Sequence, residues 1–376
     1  MNWFLLFEII YILAIILVCL RIIYDTRSTT KTLAYLLLVI FVPLLGMIIY
    51  FTFGVNYRKR KIYSKKLIAN EELSEQLRQN ILKYSQENFL HARTMLEPSR
   101  ELAFMLANDA MSPLTAGNSV KLLINGENKF PEVIRAIQQA KKFIHIEYYI
   151  YEDGEIGRTL ENLLIQKVNE GVEVRFIYDD FGSRSIRRKQ VPRLRKAGVQ
   201  TFPFYKVNFL MFANRLNYRN HRKIIVVDGE IGFVGGINVS DRYINHPDNP
   251  GKLYWRDTHV MIEGPGVHYL QYLFLCDWNF CAEECLVPND DFFPPIHTLP
   301  QKDNKMVQIA ASGPDSDTPT VLFSMLQAIH LASEEILITT PYFIPGESIL
   351  DALIVSALGG VSVKLLVPKN SDSFVV

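Results

Sequence analysis

Asn220-His-Arg-Lys-Ile-Ile-Val-Val-Asp-Gly-Glu-Ile-Gly-Phe-Val-Gly-Gly-Ile-Asn238 holds two apolar runs on either side of Asp228-Gly229. An Asp-Gly pair between such runs marks a tight β-hairpin. Side chains alternate across a strand, so His221 and Lys223 project from one face and Arg222 from the other. A nucleophile and a cation therefore share one surface. Gly235 and Gly236 end the second strand where backbone can approach a ligand closely, and Asn238 adds an amide donor.

These groups suit a tetrahedral phosphate. A neutral imidazole, with an ordinary pKa near 6.5, can attack phosphorus while an ammonium and an amide offset charge on the non-bridging oxygens. That chemistry calls for no metal and no cofactor. The full spacing is H-x-K-x4-D-x6-G-G-x-N, far more specific than a lone His-x-Lys pair. No G-x-S-x-G elbow or Walker A loop occurs, which removes the common lipase and nucleotide-hydrolase readings.

Around this hairpin, strand and helix patterns alternate. Val120 to Ile124, Phe143 to Tyr151 and Val172 to Tyr178 read as strands, and the regions near Pro131 to Lys141 and Ile156 to Asn169 as helices. The expectation is an α/β domain of strongly parallel character. An internal repeat extends it. Ile144-His-Ile, Gly154-Glu155 and Gly171-Val-Glu-Val-Arg recur as Ile336-Leu-Ile, Gly346-Glu347 and Gly360-Val-Ser-Val-Lys, at offsets of 192, 192 and 189 residues. Each copy follows a helix containing Ala-Ile, at Ala136-Ile137 and Ala328-Ile329.

His221, Lys223, Asp228, Gly235, Gly236 and Asn238 match the HKD signature, and the chain is identified by them as resembling the phospholipase D superfamily. Tyr148-Tyr-Ile-Tyr, Asn214-Arg-Leu-Asn-Tyr-Arg-Asn-His, Tyr254-Trp-Arg-Asp257 and the apolar N-terminus are similar to bacterial cardiolipin synthases, over essentially the entire chain. The resemblance implies a phospholipase D-like sheet flanked by helices, a catalytic group of His221, Lys223 and Asp228 in which His221 forms a phosphohistidine and Asp228 maintains the geometry, and phosphate binding by Lys223, Asn238, Gly235 and Gly236. It also implies transfer of a phosphatidyl group between two phosphatidylglycerol molecules with release of glycerol, the alternatives being a phospholipase D-type hydrolase or a non-catalytic truncated half-site, while the apolar N-terminus argues against a nucleic acid partner. Such enzymes carry two HKD motifs, whereas this sequence has one. A second motif at the spacing of the first copy would fall at about position 410. The expectation is a chain cut before its second motif, or else a homodimer that pairs two copies of His221.

The N-terminus sets the location. Trp3 to Tyr24 is apolar apart from Glu8 and Arg21, and Leu33 to Phe53 is a run of 21 uncharged residues. Each matches the ~20 residues of a membrane span. With no basic n-region and a second apolar run close behind, the pair reads as a retained transmembrane hairpin, kinked near Pro43 and Gly46. No basic residue precedes Trp3, three lie at or between the runs (Arg21, Arg27, Lys31), and six follow (Arg58, Lys59, Arg60, Lys61, Lys65, Lys66). This predicts a multi-pass protein of the cell (inner) membrane with both chain ends and the catalytic domain cytoplasmic. The Arg58 to Lys66 cluster also suits anionic headgroups. The expected divisions are residues 1–56 (hairpin), 57–116 (basic and helical linker, closed by Met111 to Gly117), 117–300 (complete lobe with the motif) and 301–376 (partial lobe).

With 40 basic and 39 acidic residues the net charge is +1, so overall charge points to no polyanionic partner. Local charge does more: Arg184 to Lys196 holds seven basic residues and no acid, a surface suited to anionic lipid or to solvent. Arg215 and Arg219 stand close to the motif as headgroup contacts or as partners of carboxylates. Cys276, Cys281 and Cys285 lie in and beyond a helical aromatic stretch, at spacings that fit buried thiols rather than a zinc hook. His145 reads as a core histidine. His246 and His259 follow the motif without a spacing that marks either as an acid.

Overall fold

The computed structural model describes residues 3–26, 29–54, 84–90, 96–109, 112–204, 219–245, 253–282, 286–299, 303–313, 316 and 318–369. The Arg58 to Lys66 cluster, most of the expected linker helix, Arg27, Arg215, His246 and Cys285 lie outside the described residues.

Two bodies follow an apolar N-terminal segment. That segment comprises α1 (Trp3–Asp25), α2 (Thr29–Phe41), α3 (Pro43–Ile49) and a π-helical turn, Tyr50–Gly54. Among the described residues α1 is the one helix long and apolar enough to cross a membrane. The expected second span is broken at Val42, because Pro43 cannot donate the amide hydrogen bond that would carry α2 onward. Helices α4 (84–90) and α5 (Arg100–Asp109) lead into the main domain.

The main domain is one eight-stranded sheet in the order β4-β3-β2-β5-β6-β7-β1-β8. Its strands are β1 (Thr115–Ile124), β2 (Phe143–Tyr148), β3 (Glu173–Tyr178), β4 (Gln200–Pro203), β5 (Lys223–Val227), β6 (Ile231–Gly235), β7 (Thr258–Glu263) and β8 (Lys305–Val307). Only β2, β3 and β4 run parallel, and every other neighbouring pair is antiparallel. The strongly parallel expectation is thus corrected to a mixed sheet. The Asp228-Gly229 hairpin is the reason: with φ of 52° and 71° the two residues reverse the chain tightly, and β5 and β6 must pair antiparallel.

Helices cover both faces. On one, α6 (Asn125–Gln139) and α7 (Glu155–Asn169) pack on the apolar core of Ile146, Tyr148, Phe176, Ile225 and Phe233. On the other, α9 (Val267–Cys281) packs Leu270, Phe274 and Trp278 against Ile177, Ile224 and Val226. Each fully buried Phe contributes roughly 2–3 kcal/mol of transfer free energy. The intervening α8 (Gln190–Lys196) leads into the edge strand β4. His145 is a buried core residue, stacked on Phe274 with Nδ1 3.0 Å from Gln271 Oε1.

Two boundaries move for tertiary reasons. Helix α6 begins at Asn125 rather than near Pro131, because Asn125 is held by Asp257: its N–H donates to the Asp257 carbonyl (2.9 Å) and its Oδ1 accepts from the Asp257 N–H (3.0 Å). Strand β1 reaches back to Thr115, inside the expected closing turn. There Thr115 Oγ1 donates to Val307 O (2.8 Å) and Asn118 Nδ2 to Lys305 O (3.1 Å), which also carries the first sheet past the expected division at residue 300.

The second body repeats the first. Helix α10 (Thr320–Leu331) precedes β9 (Glu335–Thr339), α11 (Glu347–Leu358) and β10 (Ser362–Leu366), with β9 and β10 parallel. These match β2, α7 and β3 at the repeat offsets. Thr318 and Thr320, at the start of α10, donate to the Asp109 carboxylate of α5.

Candidate active site

Strand β5 lies in the middle of the sheet, and Lys223 is its first residue, opposite Tyr148 of β2. The Lys223 Nζ donates to the carbonyl of His221 (2.7 Å), drawing the two residues of the motif together. His221 stays open to solvent while one face of its imidazole is covered by Tyr149, with ring centroids 3.8 Å apart and planes inclined by 23°. The same tyrosine ring sits 5.7 Å from the Lys223 ammonium. A cleft of ≈ 340 Å³ opens here, bordered by His221, Lys223, Gly235, Leu273 and Ser312.

The surroundings lower the pKa of both groups. Partial burial and then the Lys223 charge hold the His221 pKa below its ordinary 6.5, with Asp179 opposing and Arg219 adding to the fall. Burial brings Lys223 down to about 8, with Asp257 pulling the other way. At neutral pH the pair is thus a neutral imidazole beside a cation, the state that attack on phosphorus requires. Arg219 is placed by Asp179 (3.6 Å) and by the Phe181 ring beneath its guanidinium (3.8 Å).

Glycine is demanded at the end of β6. A Cβ on Gly236 would collide with Asp257 Oδ1, and one on Gly235 would lie 2.6 Å from the His259 Cα. Asn238 is buried just beyond, its Oδ1 accepting from the Ile150 N–H (3.1 Å) and its Nδ2 donating to Tyr243 Oη (2.8 Å). The amide thereby fixes the loop after β2, which carries Tyr149, and retains a second N–H.

Asp228 does not join this group. It sits at the other end of β5, about 16 Å of strand from Lys223 at ~3.3 Å per residue. Its carboxylate accepts from three backbone N–H groups, of Lys141 (2.8 Å), Lys142 (2.8 Å) and Phe143 (2.9 Å). It anchors the start of β2 to the hairpin turn.

Strand β5 begins at Lys223 rather than at His221, so residues 220–222 lead into it from outside the strand, and the neighbours of His221 find their partners on α9 and β2. Arg222 pairs there with the buried Asp277, and Asn220 donates to Glu147 and to Asp277 (3.4 Å). Burial and then Asp277 push Glu147 well above the usual carboxylate range, with Arg222 partly opposing. This buried group holds the strand start rigid from behind.

Several residues around the motif carry no local sequence signal. Lys129 is fully buried, donates to Ile237 O (2.7 Å) and faces the Tyr148 ring (4.7 Å). His259 is buried beside Gly235. Of the seven basic residues from Arg184 to Lys196, Arg187, Arg193 and Arg195 are engaged by Asp180, Glu161 and Thr201.

Known proteins resemble this chain over most of its length. The family described as "Cardiolipin synthase, PLD-like domain" matches residues 133–251 and 325–376, and "Phospholipase_D-nuclease N-terminal" matches residues 9–54. The major cardiolipin synthase ClsA of Bacillus subtilis is 38% identical over 376 residues, covering 98% of this chain and 75% of its own length. This chain belongs to the cardiolipin synthase family. A cardiolipin synthase of Halalkalibacterium halodurans is 37% identical over 98% of this chain and 72% of its own. Among solved structures, phosphatidylserine synthase of Haemophilus influenzae aligns with a TM-score of 0.46 and 13% identity, over 72% of this chain and 66% of its own. With α1 at its N-terminus, this member of the family is membrane-associated.

Proposed function

We propose that the chain transfers a phosphatidyl group from one phosphatidylglycerol to the headgroup hydroxyl of another, making cardiolipin and glycerol. The observation that carries the reading is the ring-supported imidazole of His221 next to Lys223 in an open cleft. His221 attacks phosphorus, an N–P bond forms, and the bond to the headgroup glycerol breaks as that oxygen takes a proton. The terminal hydroxyl of a second phosphatidylglycerol then attacks, loses its proton and breaks the N–P bond. Lys223 and the second N–H of Asn238 bear the charge on the non-bridging oxygens throughout.

Protonation of the leaving glycerol needs an acid facing His221 across the cleft. The resemblance gives that role to a second motif histidine. A homodimer that pairs two copies of His221 would supply it, and such a shared site gives a rate that rises with the square of protein concentration.

The basic residues around the membrane segment support a catalytic domain on the cytoplasmic side, where they and the Arg184 to Lys196 surface meet anionic headgroups. The expectation of a multi-pass anchor rests on the second apolar run, which is broken at Val42. The deciding test incubates the purified chain, and separately its His221→Ala variant, with phosphatidylglycerol vesicles and follows lipids by mass spectrometry. Cardiolipin and glycerol in equal amounts from the unmutated chain alone support the proposal. Phosphatidic acid as the main product would assign a hydrolase instead.

A further inference from the structure

The apolar residues 29–54 are numerous enough to cross a bilayer, yet they turn back on themselves. Helix α2 ends at Phe41, Val42 takes φ −134° and ψ 67°, and α3 starts at Pro43. A Cβ built on Gly46 would lie 2.6 Å from the Leu38 carbonyl oxygen and 2.7 Å from the Val39 Cα. In a continuous helix, residues seven or eight apart are separated by roughly 10–12 Å of rise. The two helices therefore form a tight antiparallel pair, with glycine where their backbones touch. Further from the turn, Tyr35 of α2 and Tyr50, just past α3, are edge to face at 5.6 Å.

The return path ends where it began. Tyr50 Oη donates to Asp25 Oδ2 (3.3 Å), the same oxygen that accepts from Arg21 Nε (3.0 Å). Residue 50 thus comes back to the level of residue 25. The backbone at the apex stays paired, with the Val42 N–H donating to Leu38 O (2.9 Å) and the Gly46 N–H to Val42 O (2.7 Å), which non-polar surroundings require.

The pair covers only part of α1. Val18 and Ile22 are buried against it and Ile15 and Cys19 partly so, whereas residues 3–10 are all exposed. From Asp25 to Ile15 the helix rises about 15 Å, half of a ~30 Å hydrocarbon core. Helix α1 alone, at about 34 Å, reaches across the whole core.

We infer that residues 29–54 form a re-entrant hairpin that inserts into one leaflet, beside the C-terminal half of α1, and returns to the side it entered. Its outward residues, among them Leu37, Phe41, Leu44 and Ile48, are exposed apolar side chains suited to the acyl chains of that leaflet. Sidedness follows from charge. By its order in the sequence, this arrangement puts Arg21, Arg27, Lys31 and the six basic residues from Arg58 to Lys66 on one side of the membrane. A two-span hairpin would instead strand three of the nine on the outer face. The positive-inside rule then puts the catalytic domain in the cytoplasm and the Trp3 end of α1 outside, reversing the N-terminal side expected from two full spans.

The inference stands apart from the catalytic reading and is tested without activity. Single cysteines are added to the otherwise unchanged full chain at Trp3, Thr30, Phe41 and, as a cytoplasmic reference, the exposed Asn162 of α7. Intact and permeabilised cells are treated with a membrane-impermeant maleimide, and labelling of the parent chain is subtracted. Trp3→Cys labels equally in both. Thr30→Cys and Asn162→Cys label at least tenfold more after permeabilisation, and Phe41→Cys stays protected in both. Labelling of Thr30→Cys or Phe41→Cys in intact cells, or of Trp3→Cys only after permeabilisation, overturns the re-entrant arrangement.

Discussion

The ring of Tyr149 lies on the imidazole of His221 at a centroid separation of 3.8 Å, and Lys223 faces that same ring at 5.7 Å. One aromatic side chain thereby supports both groups of the proposed reaction. An aromatic pair of this kind is worth ~1 kcal/mol beyond its buried area. Tyr149→Ala should lower kcat roughly five- to tenfold by releasing the imidazole. Tyr149→Phe, which keeps the stack, should stay within about twofold, and steady-state kinetics on both variants checks the contrast.

Asp228 should matter for stability and not for chemistry. Three backbone N–H groups donate to its carboxylate, and hydrogen bonds to charged groups contribute about 1.5–3 kcal/mol each at most. Asp228→Asn keeps the turn geometry, since both residues tolerate a φ of 52°. The substitution should cost about 2 kcal/mol in denaturant unfolding and leave kcat per folded molecule unchanged. A loss of kcat without a loss of stability would return Asp228 to the catalytic group.

The pH profile of kcat/KM should be bell-shaped. His221 attacks only when neutral, and its pKa is held below 6.5, so the acid limb should lie under pH 6.5. Lys223 binds phosphate only when charged, and its pKa of about 8 puts the alkaline limb near pH 8. Asp257 raises that pKa, so Asp257→Asn should move the alkaline limb to lower pH and leave the acid limb in place. A shift to higher pH would contradict the assignment.

Gly236→Ala should act through Asp257. The new methyl would strike Asp257 Oδ1 and displace the carboxylate, which also accepts from the Thr258 N–H (2.6 Å). Overpacking of this kind costs about 1–3 kcal/mol. In an Asp257→Ala background the same substitution should cost far less, because the atoms it strikes are gone. Equal costs in both backgrounds, by thermal unfolding, would place the strain elsewhere.

The motif is legible in the sequence because its signals are local. Asp228-Gly229 specifies the hairpin, and the repeat offsets locate β9 and β10. What is not legible depends on residues distant in sequence. Asp257 holds the start of α6 from 132 positions away, and β8 joins β1 across 192. Asp228 reads as a catalytic residue because it belongs to the signature, and only the length of β5 separates it from the cleft. The second apolar run passes every test of length and composition. The contact of Gly46 with Leu38 and Val39 is a through-space property of Pro43 breaking the helix, which composition does not encode.

The central claim is a phosphatidyl group carried by His221. Phosphatidylglycerol labelled at phosphorus is mixed with the full chain in vesicles, the reaction is quenched in alkali, where phosphohistidine survives, and the protein is digested for mass spectrometry. The expected result is label on His221, none on the His221→Ala chain, and its loss to cardiolipin when unlabelled phosphatidylglycerol is added before the quench. Label on another residue, or cardiolipin formed by the His221→Ala chain at the unmutated rate, would contradict it.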